Sequence, residues 1–174
     1  RKNMSKINYS LLSYNENGLK EVDWITGCSV LINKNKFNLS YFFDDNIFLY
    51  FEEIDICRRV KTSGGKVLTS SKLFAKHLGN KGSAATDPDY SIETEMFRNW
   101  HWMWSTFYYH KKHYNYFYAL VKISGKLVRS FLKMIIYTIN YDKKKQTMYY
   151  ARFLGIINSM MGRKSWYRVK SLFK

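Results

Sequence analysis

The spacing of apolar residues changes character near residue 90. Before it, hydrophobic positions come in short runs broken by Asn, Gly and Ser; after it, they recur every three to four residues over long stretches. In the front part, residues 28–32 (CSVLI) read as a short buried strand and 33–39 as a helical turn, with Phe42 and Phe43 as core residues. Residues 51–62 read as a helix stopped by Ser63-Gly64-Gly65, since glycine takes the left-handed conformation of a helix C-cap without steric cost. Short strands are predicted near 66–69 and 72–76. From Tyr90 onward the period predicts three helices, at about 90–113, 116–139 and 143–161, with breaks near Asn115, at Tyr141-Asp142 and at Gly162. No internal repeat or low-complexity linker interrupts this layout.

Composition argues for a folded chain: 174 residues, 46% hydrophobic, one proline. The two cysteines, Cys28 in the predicted strand and Cys57 in the predicted helix, show no metal or disulfide spacing and read as buried thiols in a reducing compartment.

Charge changes the picture more. Residues 96–174 hold 16 Lys or Arg and a single acid, Asp142, so nearly all of the +16 net charge belongs to the back half. That imbalance points to an anionic partner, either a phospholipid leaflet or a nucleic acid. In the second long helix Lys122, Lys126, Arg129 and Lys133 fall on a narrow stripe while apolar residues cover the other faces. No uninterrupted apolar run approaches the ~18 residues of a membrane span, so this reads as an interfacial helix. Trp100, Trp102, Trp104, Tyr108 and Tyr109, with Lys111-Lys112, form a band suited to headgroup level, or else to packing between helices.

The front half carries the candidate chemistry. In FLYFEEIDICRR, from Phe48 to Arg59, three carboxylates, Glu52, Glu53 and Asp55, stand directly behind aromatic and aliphatic residues. Glu52 and Asp55 share a helix face, with Glu53 turned about 100° from Glu52, so the three cannot address one atom. Acids in a first helical turn also complement the helix dipole, and Asp55 is spaced to pair with Arg58 or Arg59.

Upstream lies Trp24-Ile-Thr-Gly27, then Phe43-Asp44; downstream lies His77, followed by Gly79, Gly82 and Ser83. In this order the set resembles the acceptor half of an inverting family 2 glycosyltransferase of the GT-A fold, of the rhamnosyltransferase-like group that builds bacterial surface polysaccharides. The resemblance covers about residues 22–83, with weaker matches at Arg98-Asn99-Trp100-His101 and Gly162-Arg163-Lys164-Ser165. It implies an α/β chain in two parts: 1–88 as the acceptor side of a GT-A domain, whose nucleotide-binding half would precede Arg1, and 89–174 as a basic, helical, membrane-associating tail.

The resemblance also implies roles. Glu53 matches the general base, a position where aspartate is common, with Asp55 holding the helix start or the acceptor and Glu52 orienting its neighbours. Trp24, Gly27 and Arg59 would shape the substrate pocket, although a core tryptophan beside a turn explains the first two as well. His77 would complete a Mg²⁺ or Mn²⁺ site whose main Asp-x-Asp ligand belongs to the half before Arg1; a lone histidine at a strand end is otherwise a satisfied polar residue. Asp87-Pro88-Asp89 has those letters but reads as a turn and helix cap. The expected partners are a nucleotide-sugar donor, a lipid-linked or polysaccharide acceptor and an anionic membrane, with the protein cytoplasmic and peripheral at the inner face of the plasma membrane. The alternative class is a non-catalytic, basic nucleic-acid-binding protein using its aromatic residues to stack on bases. It accounts for the back half and leaves the acidic segment without a purpose.

Overall fold

The computed structural model describes residues 14–36, 39–76 and 88–168. In order, these form strand β1 (Leu19–Glu21), a 3-10 turn (Lys34–Lys36), helix α1 (Glu52–Thr62), strand β2 (Leu68–Ser70) and helices α2 (Pro88–His113), α3 (Tyr116–Ile139) and α4 (Lys143–Met160). The described chain divides into two compact units. One takes in residues 14–42 and 53–76, the other 43–52 and 88–168.

In the front unit β1 and β2 pair antiparallel, Lys20 opposite Thr69. Ile56 and Cys57 on α1 pack with Val67, and Val22, Ile25, Ile32 and Val60 close around them. Helix α1 ends where Gly64 adopts a φ of 80°; the Gly65 N–H then donates to the Val60 carbonyl at 2.9 Å, satisfying a group the helix would leave open.

In the helical unit α2 packs on both α3 and α4. Met103 and Phe107 of α2, Ala119 and Ile123 of α3 and Ile156 of α4 form one core, and Trp100, Trp104 and Ala151 a second. Asn115 caps α3 by accepting the Tyr118 N–H at 2.8 Å, and Asp142 caps α4 by accepting that of Lys145 at 3.0 Å.

The three long helices lie where the apolar period puts them. Several other expectations are corrected. The α/β expectation holds only loosely, because among the described residues four helices dominate and the sheet has two short antiparallel strands. Residues 28–32 and 72–76 form no strand; a short apolar run needs a neighbouring strand to take up its N–H and C=O groups, and among the described residues β1 and β2 pair only with each other. Cys28 is exposed, with its thiol 3.3 Å from the Thr26 hydroxyl, whereas Cys57 is buried as expected. Phe42 and Phe43 are exposed rather than core. Of the aromatic band expected at headgroup level, which also takes in Phe107, Tyr114, Tyr116 and Tyr118, Trp100, Trp104, Phe107 and Tyr109 are buried while Trp102, Tyr114 and Tyr116 are exposed, because α2 turns most of its aromatic residues inward.

Candidate active site

The approach to α1 is strained. Tyr50 and Phe51 adopt φ values of 66° and 73°, in the left-handed region that side chains with a Cβ disfavour by about 1–2 kcal/mol each. Aromatic packing within the helical unit offsets this: Tyr50 meets Trp102 edge-on at 5.1 Å, and Phe51 lies 5.2 Å from the ring of Tyr109. The Ser105 hydroxyl donates to the Leu49 carbonyl at 2.8 Å and pins the same segment. Consecutive strained aromatic residues, held this firmly, start α1 abruptly at Glu52, so both glutamates fall in its first turn.

Glu53 sits against the Trp24–Gly27 turn. A Cβ added to Gly27 would stand 3.9 Å from Glu53 Cδ and 4.0 Å from its Oε1, so turn and carboxylate are neighbours within the front unit. Ile25 anchors that turn in the core, and a backbone hydrogen bond joins it to the Cys57 thiol, which burial first, and the nearby Glu53 charge as well, push above its ordinary pKa. Trp24 points outward, 46% exposed. The Oε2 atom of Glu53 is buried and has no hydrogen-bond partner among the described residues. An acceptor-only oxygen in that condition is suited to receiving a proton or a donor group from a ligand.

Asp55 points the other way and is fully buried. It accepts from Arg59 Nε at 2.8 Å. Arg59 also donates through Nη1 to the Tyr41 carbonyl at 2.8 Å and through Nη2 to the Phe42 carbonyl, and its guanidinium stacks 4.2 Å from the Tyr41 ring centroid. The Asp55–Arg59 pair is therefore a brace tying the 41–42 backbone to α1.

A cavity of about 400 Å³ in the helical unit lay outside the sequence reading. It is lined by Tyr50, Glu95, Arg98, Asn99, Trp102 and Arg152 among others. Asn99 organises it, donating to the Glu95 carbonyl at 2.6 Å and accepting from Arg152 Nε at 2.6 Å, while Arg152 stacks 5.1 Å from the Tyr149 ring centroid. Burial pushes the Tyr50 phenol above its usual pKa, with Arg98 opposing and Glu95 and Glu52 adding to the rise. The signal was present in the sequence: Glu95, Arg98, Asn99 and Trp102 recur at helical spacing as a polar line through an aromatic helix.

His77, Gly79, Gly82, Ser83 and Asp87 lie outside the described residues. Among the described residues no group of three or more His, Cys, Asp or Glu gathers to hold a metal ion. They do not by themselves fit the expected divalent cation, and no chemical step is derived through one. Comparison with protein-family models, with curated proteins and with solved structures finds no match to this chain, so its function is read from these residues.

Proposed function

We propose that this chain is the acceptor-side portion of an inverting glycosyltransferase, of GT-A type, that transfers a sugar from a nucleotide-sugar donor to a lipid-linked or polysaccharide acceptor. The observation that carries the reading is the Glu53 carboxylate beside Gly27, with one oxygen buried and without a hydrogen-bond partner among the described residues. Glu53 takes the proton of the acceptor hydroxyl as that oxygen bonds to the anomeric carbon; the bond from that carbon to the nucleotide breaks, and its electron pair leaves with the diphosphate. A positioned base of this kind contributes about 10²–10⁴ in rate. Gly27 lets an acceptor approach the turn closely, and the exposed Trp24 indole offers a flat face for stacking on a sugar. Asp55 and Arg59 serve as positioning residues that hold α1 and the 41–42 backbone in register.

The nucleic-acid reading draws less support, because most of the α2 aromatic residues it would use for base stacking are buried in the helical core.

The test is nucleotide release by the intact protein from a panel of nucleotide sugars, with Mg²⁺ or Mn²⁺, membranes and lipid-linked acceptors, comparing wild type with Glu53→Gln. The amide keeps the shape and cannot take the proton, so turnover should fall at least about 100-fold while donor binding persists. Equal turnover by both proteins removes Glu53 as the base. A folded wild type that binds no nucleotide sugar overturns the transferase reading itself.

A further inference from the structure

The outward face of α3 is apolar along its whole length. Phe117, Val121, Val128, Leu132, Ile135 and Ile139 recur on one side of the helix at helical spacing, and all are exposed, Phe117 by 79%, Val121 by 75% and Ile139 by 68%. The stripe extends roughly 33 Å at 1.5 Å per residue. Contiguous apolar surface on this scale marks an interaction site.

The surroundings of the stripe select its occupant. At 100° per residue, Arg129, Lys122 and Lys133 fall along one edge of it, and Lys133 leans over the Tyr149 ring of α4 at 5.2 Å. No acidic residue occurs anywhere on α3. Between apolar face and cations runs a shallow, mostly apolar groove of about 590 Å³, floored by Gly125, Val128, Leu132 and Ile136 and rimmed by Arg129 and Lys133. Nothing lies within 4 Å of where a Gly125 side chain would stand, so the groove is open there. A hydrocarbon trough edged by cations matches an acyl chain with its phosphate headgroup. A second copy of the chain fits worse, since it would bring a like-charged helical half against this one. Among the described residues no helix is long and apolar enough to cross a bilayer.

We propose that α3 docks in the plane of an anionic membrane leaflet, with the Phe117–Ile139 stripe entering the acyl boundary while Lys122, Arg129 and Lys133 meet lipid phosphates. The docking rests on α3 alone. Where the transferase reading also holds, this face identifies the surface on which its lipid-borne acceptor is met.

The experiment is co-sedimentation of the full chain, without donor or acceptor, with vesicles of phosphatidylcholine alone or with about 30% phosphatidylglycerol, at low and physiological salt. Wild type should bind the anionic vesicles and release partly as salt rises. The double variant Val121→Ser with Ile139→Ser should bind about tenfold more weakly or worse, and Lys122→Gln with Arg129→Gln should lose most of the salt-sensitive part. Glu53→Gln should bind as wild type does, which separates this test from that of the transferase. Circular dichroism checks that each variant is helical. Should the serine variant unfold, Val121→Trp replaces it, and brominated phosphatidylglycerol must then quench its added emission. The proposal is overturned if wild type binds neither vesicle, if the serine variant binds undiminished, if the introduced tryptophan is unquenched, or if wild type self-associates through this face and ignores lipid. Preferential binding of single-stranded DNA, indifferent to the serine substitutions, overturns it as well.

Discussion

Lys112 Nζ lies 2.7 Å from Asp44 Oδ2, and the Tyr108 hydroxyl donates to the same oxygen at 3.0 Å. The other carboxylate oxygen accepts the Asn46 backbone N–H at 2.9 Å and its side-chain amide at 2.8 Å. One buried carboxylate thus closes its own turn and fastens it to α2. The segment so fastened goes on to Tyr50 and Phe51 and delivers the chain to the acidic start of α1.

Asp44→Asn tests that fastening. Burial works against the Asp44 charge, but hydrogen bonds from Lys112, Asn46 and Tyr108 outweigh it and hold the pKa below the ordinary carboxylate value. A carboxylate with a depressed folded pKa contributes its stability above the unfolded pKa of about 4, and loses it as pH falls through the folded value. At pH 7 the variant should therefore lose about 1–3 kcal/mol in urea unfolding, and the gap should narrow below pH 4. A gap that stays constant into acid would mean that the charge of Asp44 contributes nothing.

His101 sets a second, separate acid limb. Its ring is fully buried, with Nε2 2.8 Å from the Tyr167 carbonyl and Nδ1 3.1 Å from the Ser165 hydroxyl. That arrangement suits the neutral tautomer, Nε2–H donating and Nδ1 accepting. Burial pushes the pKa from 6.5 down to about 4, with the Tyr167 carbonyl opposing and Arg168 reinforcing. Between those values the unfolded chain binds a proton that the native state refuses, so stability falls as pH drops through the window, by about 3 kcal/mol at most. Urea midpoints measured from pH 7.5 to 4 should slope in wild type and flatten in His101→Gln; equal slopes would place the titration elsewhere.

Two glycines should respond to alanine with opposite signs. A Cβ on Gly155 would collide with the Trp100 carbonyl oxygen and stand 3.1 Å from its carbon, both of them backbone atoms that cannot swing away. Gly155→Ala should cost about 1–3 kcal/mol by forcing α4 off α2. Gly125, inside α3, meets nothing within 4 Å. Gly125→Ala should add about 0.5–1 kcal/mol through helix propensity. Thermal melts of the pair decide the matter, and a Gly155→Ala variant as stable as wild type would contradict the close α2–α4 approach.

These residues also show what was legible in the sequence. The helices α2 to α4 were, because their apolar period is sustained over many turns and bounded by Asn115, Asp142 and Gly162, each of which acts locally. The strand expected at 28–32 was not, because a strand exists only with a partner and a short apolar run names none. Cys28 followed that error, and its exposure is a consequence of the missing pairing. The pattern of cations on α3 was readable, but which of its apolar sides faces α2 and α4 depends on packing. At the candidate site, the Asp55–Arg59 spacing announced its own ion pair. The nearness of Gly27 to Glu53 and the left-handed backbone at Tyr50 and Phe51 are tertiary results, fixed by Ile25 in the front core and by the ring contacts of Trp102 and Tyr109 in the helical unit.

Arg59 separates a brace from a substrate contact. Its fork spans Asp55 and two backbone carbonyls at once, a planar arrangement that a lysine ammonium cannot reproduce. Arg59→Met also withdraws a guanidinium from a carboxylate that is fully buried, a change that typically costs about 3–5 kcal/mol. Arg59→Lys should fall between methionine and wild type. If the brace is the task, Asp55→Asn combined with Arg59→Met should cost clearly less than the two single losses added together, with a coupling of about 1–3 kcal/mol in a double-mutant cycle. Additive losses, together with an Arg59→Lys variant that is as stable as wild type yet has a raised KM for acceptor, would instead assign the guanidinium to the substrate.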